Sequence, residues 1–385
     1  MALHFPTDEL AARRHAAVEE MSRRGLKGML LFKQESMYYL TGFDTFGYVF
    51  FQCLYLDSDG ETMTLLTRLP DLRQALETSV IEDVRCWIDG PDANPPSSLP
   101  EILNEHGAAG QRIGIETDAY GFTGFNMKLT EEALAGVCTL VEASDLVNRL
   151  RVIKNSRELE YVRDAARLAD SAYDKAVEVA GPGVFEGDVL AAIQGEIFRG
   201  GGDFPANEVI IGSGRRSLLF RYAAGMQTIG QEDQLSLEWA GAYRHYHATM
   251  MQTLVIGRAS DRQRRTFDVV QGTLEQMMEA LEPGRPIGRV DEVHREGLDR
   301  SGYGRNRYAA CGYSQGTTFS PNWMDWPMLY SGNPIEARPG MVFFIHCVVV
   351  DSDTGTGIGL GRTCLVTDSG REVLSARPVE LVVAE

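Results

Sequence analysis

No stretch of this chain has the length and greasiness of a membrane span. The most apolar run, "GMVFFIHCVVV", is short and carries a histidine. The opening "MALHFPTDELAARR" has acidic residues and no apolar core of signal-peptide length, so a cytoplasmic protein is expected. A surplus of positive charge is also missing. Lys and Arg number 37 against 54 Asp and Glu, for a formal net charge of −17, which repels phosphate backbones and anionic head groups. Neither nucleic acid nor a membrane surface is therefore an expected partner. The six cysteines, at 53, 86, 138, 311, 347 and 364, form no CxxC pair and read as free thiols. A cysteine nucleophile would need an activating neighbour. Cys347 beside His346 is the candidate, yet adjacent strand residues point to opposite faces. "GSGRR" lacks the spacing of a phosphate loop, and the chain shows neither internal repeat nor low-complexity segment.

What remains is an ordinary globular composition, 44% hydrophobic and 24% charged over 385 residues, enough for two or three units. "DELAARRHAAVEEMSRRG" has helical spacing ending at Gly25, and "KGMLLF" reads as a buried strand. "VFFQCLYLDSDGETMTLLT" reads as two strands turning at "DSDG"; "QRIGIET" adds a strand and "LTEEALAGV" a helix. A fresh start follows at about residue 151. There Asn155 and Glu158 can form a capping box, and Leu159, Val162, Ala166, Ala169, Tyr173 and Ala176 line one helical face. Three more helices are expected in "FEGDVLAAIQGEIFRGG", "SDRQRRTFDVVQGTLEQMMEALEPG" and "RVDEVHREGLDRSGY". Strand-like segments lie between them, with direct turns expected at "WAGAY" and "VVDSDTGTG". The pattern predicts an α+β fold with a mostly antiparallel sheet covered by helices.

Several polar residues sit in apolar strands. In "LEWAGAYRHYHATMMQT", His245 and His247 are two apart, so on a strand they would share a face and can hold one metal ion; they can equally be satisfied strand histidines. Glu238 is either a core-edge carboxylate paired with an arginine or a group kept for acid–base work. His346, within "VFFIHCVVV", is either a buried neutral imidazole or a proton carrier titrating near neutrality. Arg221 is a surface cation or a clamp for a substrate carboxylate. "CGYSQGTTFSPNWMDWPMLY" offers a glycine-flanked polar triplet and the two tryptophans Trp323 and Trp326, which wall a pocket or pack in a core.

Taken in order, "RVIKNSRELEYVRDAARLAD", "GSGRRSLLFRY", "LSLEWAGAYRHYHATMMQTLVIG", "GYSQG", "ARPGMVFFIH" and "GRTCLVTDSGREVLS" resemble the signature blocks of the pita-bread fold. This is the fold of the aminopeptidase, prolidase and creatinase superfamily, and "ESMYYLTGF" resembles its first domain in the prolidase and creatinase branch. The resemblance covers the whole chain. It implies a creatinase/prolidase-type α/β N-terminal domain over 1–150 and a pita-bread catalytic domain over 151–385. Metal-dependent members hold two ions with two aspartates, a histidine and two glutamates. Those positions carry Glu238, Thr249, Tyr313, His346 and Gly361 here, and Arg221 replaces a histidine that acts on substrate. The blocks are more similar to those of creatinase and ectoine hydrolases.

The resemblance therefore implies a metal-independent hydrolase, needing no cofactor, that cleaves a C–N bond in a small carboxylate-bearing compound. Glu238 and His346 would share acid and base roles, Tyr313 would bond the developing charge, and His247 would orient water or substrate. Arg221 would hold the carboxylate, with Thr249, Trp323, Trp326 and Tyr39 lining the pocket. A homodimer is implied as well, the N-terminal domain helping to close the neighbour's site. An Xaa-Pro peptidase with a rebuilt metal site and a non-catalytic binding protein are the alternatives.

Overall fold

The computed structural model describes residues 3–221 and 227–385, which divide into two compact units, the first ending at Arg151 and the second starting at Val152. The first unit has strands β1 (Gly28–Leu31), β2 (Cys53–Asp57), β3 (Met63–Arg68), β4 (Asp83–Trp87), β5 (Arg112–Ile115) and β6 (Thr139–Glu142). They form one mixed sheet in the order β4-β3-β2-β1-β5-β6. The helices are α1 (Thr7–Arg24), α2 (Gln34–Thr41), α3 (Leu72–Thr78), α4 (Leu99–Glu105), α5 (Gly124–Leu134) and α6 (Asp145–Arg151). Helix α1 stops at Gly25, whose φ of 65° lets its N–H reach back to the carbonyls of Met21 and Ser22. The β2–β3 hairpin turns at the expected "DSDG".

The second unit runs α7 (Ser156–Val179), α8 (Glu186–Arg199), β7 (Ile210–Ser213), β8 (Asp233–Tyr243), β9 (Tyr246–Ile256), α9 (Asp261–Glu279) and α10 (Gly288–Arg300). It continues with β10 (Gly312–Ser314), β11 (Asp325–Met328), β12 (Val342–Asp351), β13 (Thr356–Thr367), β14 (Gly370–Val373) and β15 (Val383–Ala384). The main sheet has the order β11-β10-β12-β13-β9-β8-β7 and is antiparallel throughout; β14 adds to β13, and β15 pairs parallel with β9. The expected capping box is present at the start of α7, where Asn155 Oδ1 accepts from Glu158 N at 3.0 Å and Glu158 returns a bond to Asn155 N. Ser260 and Gln263 do the same for α9.

Strand alternation sorts the sheet into two chemistries. Leu235, Leu237 and Trp239 of β8 with Met250 of β9 pack under α7 and α8, while Phe343, Ile345 and Cys347 of β12 pack under α9 and α10. The intervening residues, Glu238, Thr249 and His346 among them, point to the opposite face. The α+β architecture with helices on an antiparallel sheet is as the sequence pattern predicts.

The first turn of this sheet lies elsewhere than expected. "WAGAY" is no turn: β8 continues unbroken through it, and Gly241 is there because a Cβ would sit 2.0 Å from the Ala165 carbonyl of α7. The chain reverses immediately after it, at Arg244 and His245, whose φ of 49° and 63° suit the two-residue turn that joins right-twisted strands. His245 and His247 therefore do not share a strand face, because one sits in the turn and the other in β9. The "VVDSDTGTG" turn is found where expected, its backbone N–H groups at Asp353 and Thr354 bonded to Asp351.

Candidate active site

Glu238 lies near the middle of β8, opposite Met251 of β9. Phe220, Met251, Tyr313, Trp323, Phe344 and Val348 make the apolar cluster on this face. Only 7% of Glu238 is exposed, enough to be reached but too little to be hydrated as a free carboxylate. Burial pushes its pKa up to about 7, against the opposing pull of a Tyr313 hydrogen bond and of the Arg221 charge. Tyr313 Oη donates to Glu238 Oε1 at 3.2 Å and accepts from Trp323 Nε1 at 2.7 Å. Because the indole can only donate, the phenol proton is left for the carboxylate. Burial and the Glu238 charge hold the Tyr313 hydroxyl far above its ordinary range, so it works as a neutral donor.

Thr249 is fixed beside this pair. Its backbone N–H reaches Gln315 Oε1 at 3.0 Å and Thr363 Oγ1 at 2.9 Å, and Gln315 Nε2 hydrogen-bonds its hydroxyl. Thr363 Oγ1 closes the network, 2.7 Å from Gln315 Oε1. His346 sits across from Gly361, its ring 6.3 Å from that of Tyr313. Burial brings its pKa down to about 3, which corrects the expectation of titration near neutrality: the imidazole is neutral, and its Nδ1 has no hydrogen-bond partner among the described residues. Arg221 hydrogen-bonds Tyr308, which raises its pKa along with the negative charge of Glu238. Tyr222 of the same motif lies outside the described residues. The structure thus gathers Glu238, Tyr313, Trp323, Thr249, His346 and Arg221.

Three expected residues are engaged elsewhere. His247 is fully buried, its Nε2 accepting from Ala206 N at 2.9 Å and its Nδ1 3.2 Å from Thr318 Oγ1. With both nitrogens spent on protein groups and a pKa near 3 from burial, it anchors the 316–318 loop instead of orienting water. Trp326 packs against the helix-side core, not with Trp323. Tyr39 is buried in the core of the first unit with the Arg13 guanidinium 4.3 Å over its ring. The side chain is committed there. Cys347 faces the helices, and burial raises its thiol far above the reactive range.

Sequence reasoning singled out Gln315 only as part of the glycine-flanked triplet, not as the partner of Thr249, and missed Thr363, a long-range partner with no local signature. It also missed Asp291, His294 and Cys311, whose potential ligand atoms all lie within 4.8 Å of one another.

The chain matches the Metallopeptidase family M24 over residues 160–368, more than half its length, and the Creatinase/Prolidase N-terminal domain over 13–153. It belongs to the M24 family. Among relatives, it is 27% identical to an ectoine hydrolase of Halomonas elongata, covering 100% of this chain and 99% of the relative. It is 25% identical to an Xaa-Pro dipeptidase of Pyrococcus furiosus, over 95% of this chain and 98% of that one. In structure it is similar to the prolidase of Thermococcus sibiricus, with a TM-score of 0.86 and 22% identity over 96% of this chain and 98% of that one. The chain is a hydrolase of the kind that acts on C–N bonds. No helix among the described residues is long and apolar enough to cross a membrane.

Proposed function

We propose that the protein hydrolyses a C–N bond in a small carboxylate-bearing compound, such as a cyclic amidine, guanidino compound or amide, without a catalytic metal. The observation that carries this reading is a buried Glu238, poised near pH 7 and held by the Tyr313–Trp323 relay. The family name implies metal ions at this face. The five positions carry one carboxylate, a neutral imidazole, a threonine held by Gln315, a tyrosine and a glycine that offers no side-chain ligand, with the Arg221 cation close by. Two divalent cations need several anionic oxygens, so this set does not fit them.

Without a metal to acidify water, a protein base must do so. Glu238 takes a proton from water as the oxygen bonds to the substrate carbon. When the C–N bond breaks, the same carboxyl returns that proton to the leaving nitrogen, and the net consumption is one water. A pKa near neutrality suits both transfers. Tyr313 and Trp323 orient the carboxylate, His346 offers an unspent nitrogen to a substrate N–H, and Arg221 clamps the substrate carboxylate. Thr249 and Trp323 would flank the bound substrate. The ectoine hydrolase relative supports the substrate class, and the Xaa-Pro dipeptidase relative supports a second reading as a peptidase.

The test is product formation, read by mass spectrometry, from ectoine, creatine and Xaa-Pro dipeptides with chelator present. Turnover of one of the non-peptide compounds that disappears in Glu238→Gln supports the proposal. Turnover of dipeptides alone, and only after metal addition, favours the peptidase. No turnover with unchanged binding in Glu238→Gln favours a binding protein. We also propose a homodimer, supported by Phe46 and Phe50 in the first unit, 71% and 44% exposed. Six free cysteines support a reducing, cytoplasmic setting.

A further inference from the structure

Helix α10 carries Asp291 and His294 one turn apart, so both side chains leave the same face toward Cys311, the residue before β10. Their ligand-type atoms lie within 4.8 Å of one another, and all three residues are buried. Around one zinc-sized ion, ligands at 2.0–2.3 Å stand roughly 3.3–3.8 Å apart, so only a small contraction separates this trio from a coordination shell. His294 supplies an independent sign. The ring is fully buried, its Nδ1 is 3.5 Å from Asp291 Oδ1 and helps hold the Asp291 carboxyl below its ordinary range, and its Nε2 makes no hydrogen bond among the described residues. Such an unmet buried nitrogen is costly unless something takes its lone pair.

The surroundings are organised for that. Asp291 Oδ2 accepts from Arg295 Nε at 2.7 Å and from Ser331 N at 3.0 Å, which fixes the carboxylate and leaves Oδ1 turned to His294. Cys311 Sγ donates to the Leu329 carbonyl oxygen at 3.6 Å, with the Asp291 carboxylate close enough to act on it electrostatically. The cluster belongs to the helix-side core, whereas Glu238 is on the opposite face.

We propose that Asp291, His294 and Cys311 bind a single structural divalent cation of the zinc type, distinct from the Glu238 site. On binding, the Cys311 thiol gives its proton to water and its sulfur bonds the ion. Thiolate and carboxylate balance the two positive charges, His294 donates a neutral lone pair, and no redox change occurs. Mixed sulfur, nitrogen and oxygen ligands favour zinc over magnesium or calcium. The ion would pin α10 to the start of β10, two residues from Tyr313, a positioning role and not a catalytic one.

The full chain is expressed in zinc- or cobalt-supplemented minimal medium, and metal content and the cobalt spectrum are measured. Expected are one ion per chain and a near-ultraviolet thiolate-to-cobalt band, both lost in Cys311→Ser and the ion lost in His294→Ala, while Glu238→Gln keeps both. Metal-free wild-type protein, or equal content and band in Cys311→Ser, overturns the assignment. If Cys311→Ser is insoluble, a wild-type cobalt spectrum without a thiolate band overturns it just as well. None of these outcomes depends on turnover at Glu238.

Discussion

Replacing Glu238 by Gln keeps an oxygen for Tyr313 to bond and removes the buried charge. In the folded chain the carboxyl holds its proton up to about pH 7, whereas in the unfolded chain it loses it near 4.5. Between those values the folded state binds the extra proton, so this group's contribution to stability falls as pH rises and is fully lost above pH 7. The gap corresponds to about 3 kcal/mol of strain on the ionised form. Below 4.5 both states are protonated, so the contribution is fully present there and no longer changes with pH. Glu238→Gln should therefore melt several degrees above wild type at pH 8.5, with the difference shrinking steadily toward pH 5. Thermal unfolding of both proteins across that range is the assay. The same substitution should cut kcat by about 10²–10⁴-fold, the usual worth of a general base. A melting difference that does not change with pH would refute the buried-charge reasoning, whatever happens to the rate.

Tyr313→Phe removes a bond that favours the carboxylate, so Glu238 titrates higher and the acid limb of kcat/KM moves to higher pH; it also strands the Trp323 N–H, at about 1–3 kcal/mol in denaturant melts. Arg221→Ala should raise KM by about tenfold to a hundredfold with a smaller change in kcat, as expected for a lost charge-assisted clamp on the substrate. Gln315→Ala leaves the Thr249 amide and Thr363 hydroxyl one partner short and should lower stability by about 2 kcal/mol in the same melts. Gly241→Ala sets a methyl against the Ala165 carbonyl and should cost more than about 4 kcal/mol, read as loss of soluble protein.

How far the sequence could be read follows from the range of each interaction. The α7 cap was legible because Asn155 and Glu158 are three residues apart, and the alternation in β8 and β12 was legible because period two is local. The ordered blocks brought out Glu238, Thr249, Tyr313 and His346, which meet across four strands. The hairpin at Arg244 and His245 was hidden, since positive φ there falls on residues that give no glycine or asparagine signal. The commitments of Tyr39, Trp326 and His247 depend on tertiary neighbours, which residue type alone does not reveal. So does the closeness of Cys311 to α10: the segment of Asp291 and His294 reads only as a helix, and their third partner comes from outside any regular element.

The most direct measurement is the pH dependence of kcat/KM for the preferred small substrate, with exhaustive chelation and then with manganese, cobalt or zinc restored. A rate that survives chelation, rises through an apparent pKa near 7 and shifts upward in Tyr313→Phe is the expected result. A rate that vanishes on chelation and returns in proportion to a second and third ion bound per chain, with Cys311→Ser unaffected, would contradict catalysis by Glu238 in place of metals.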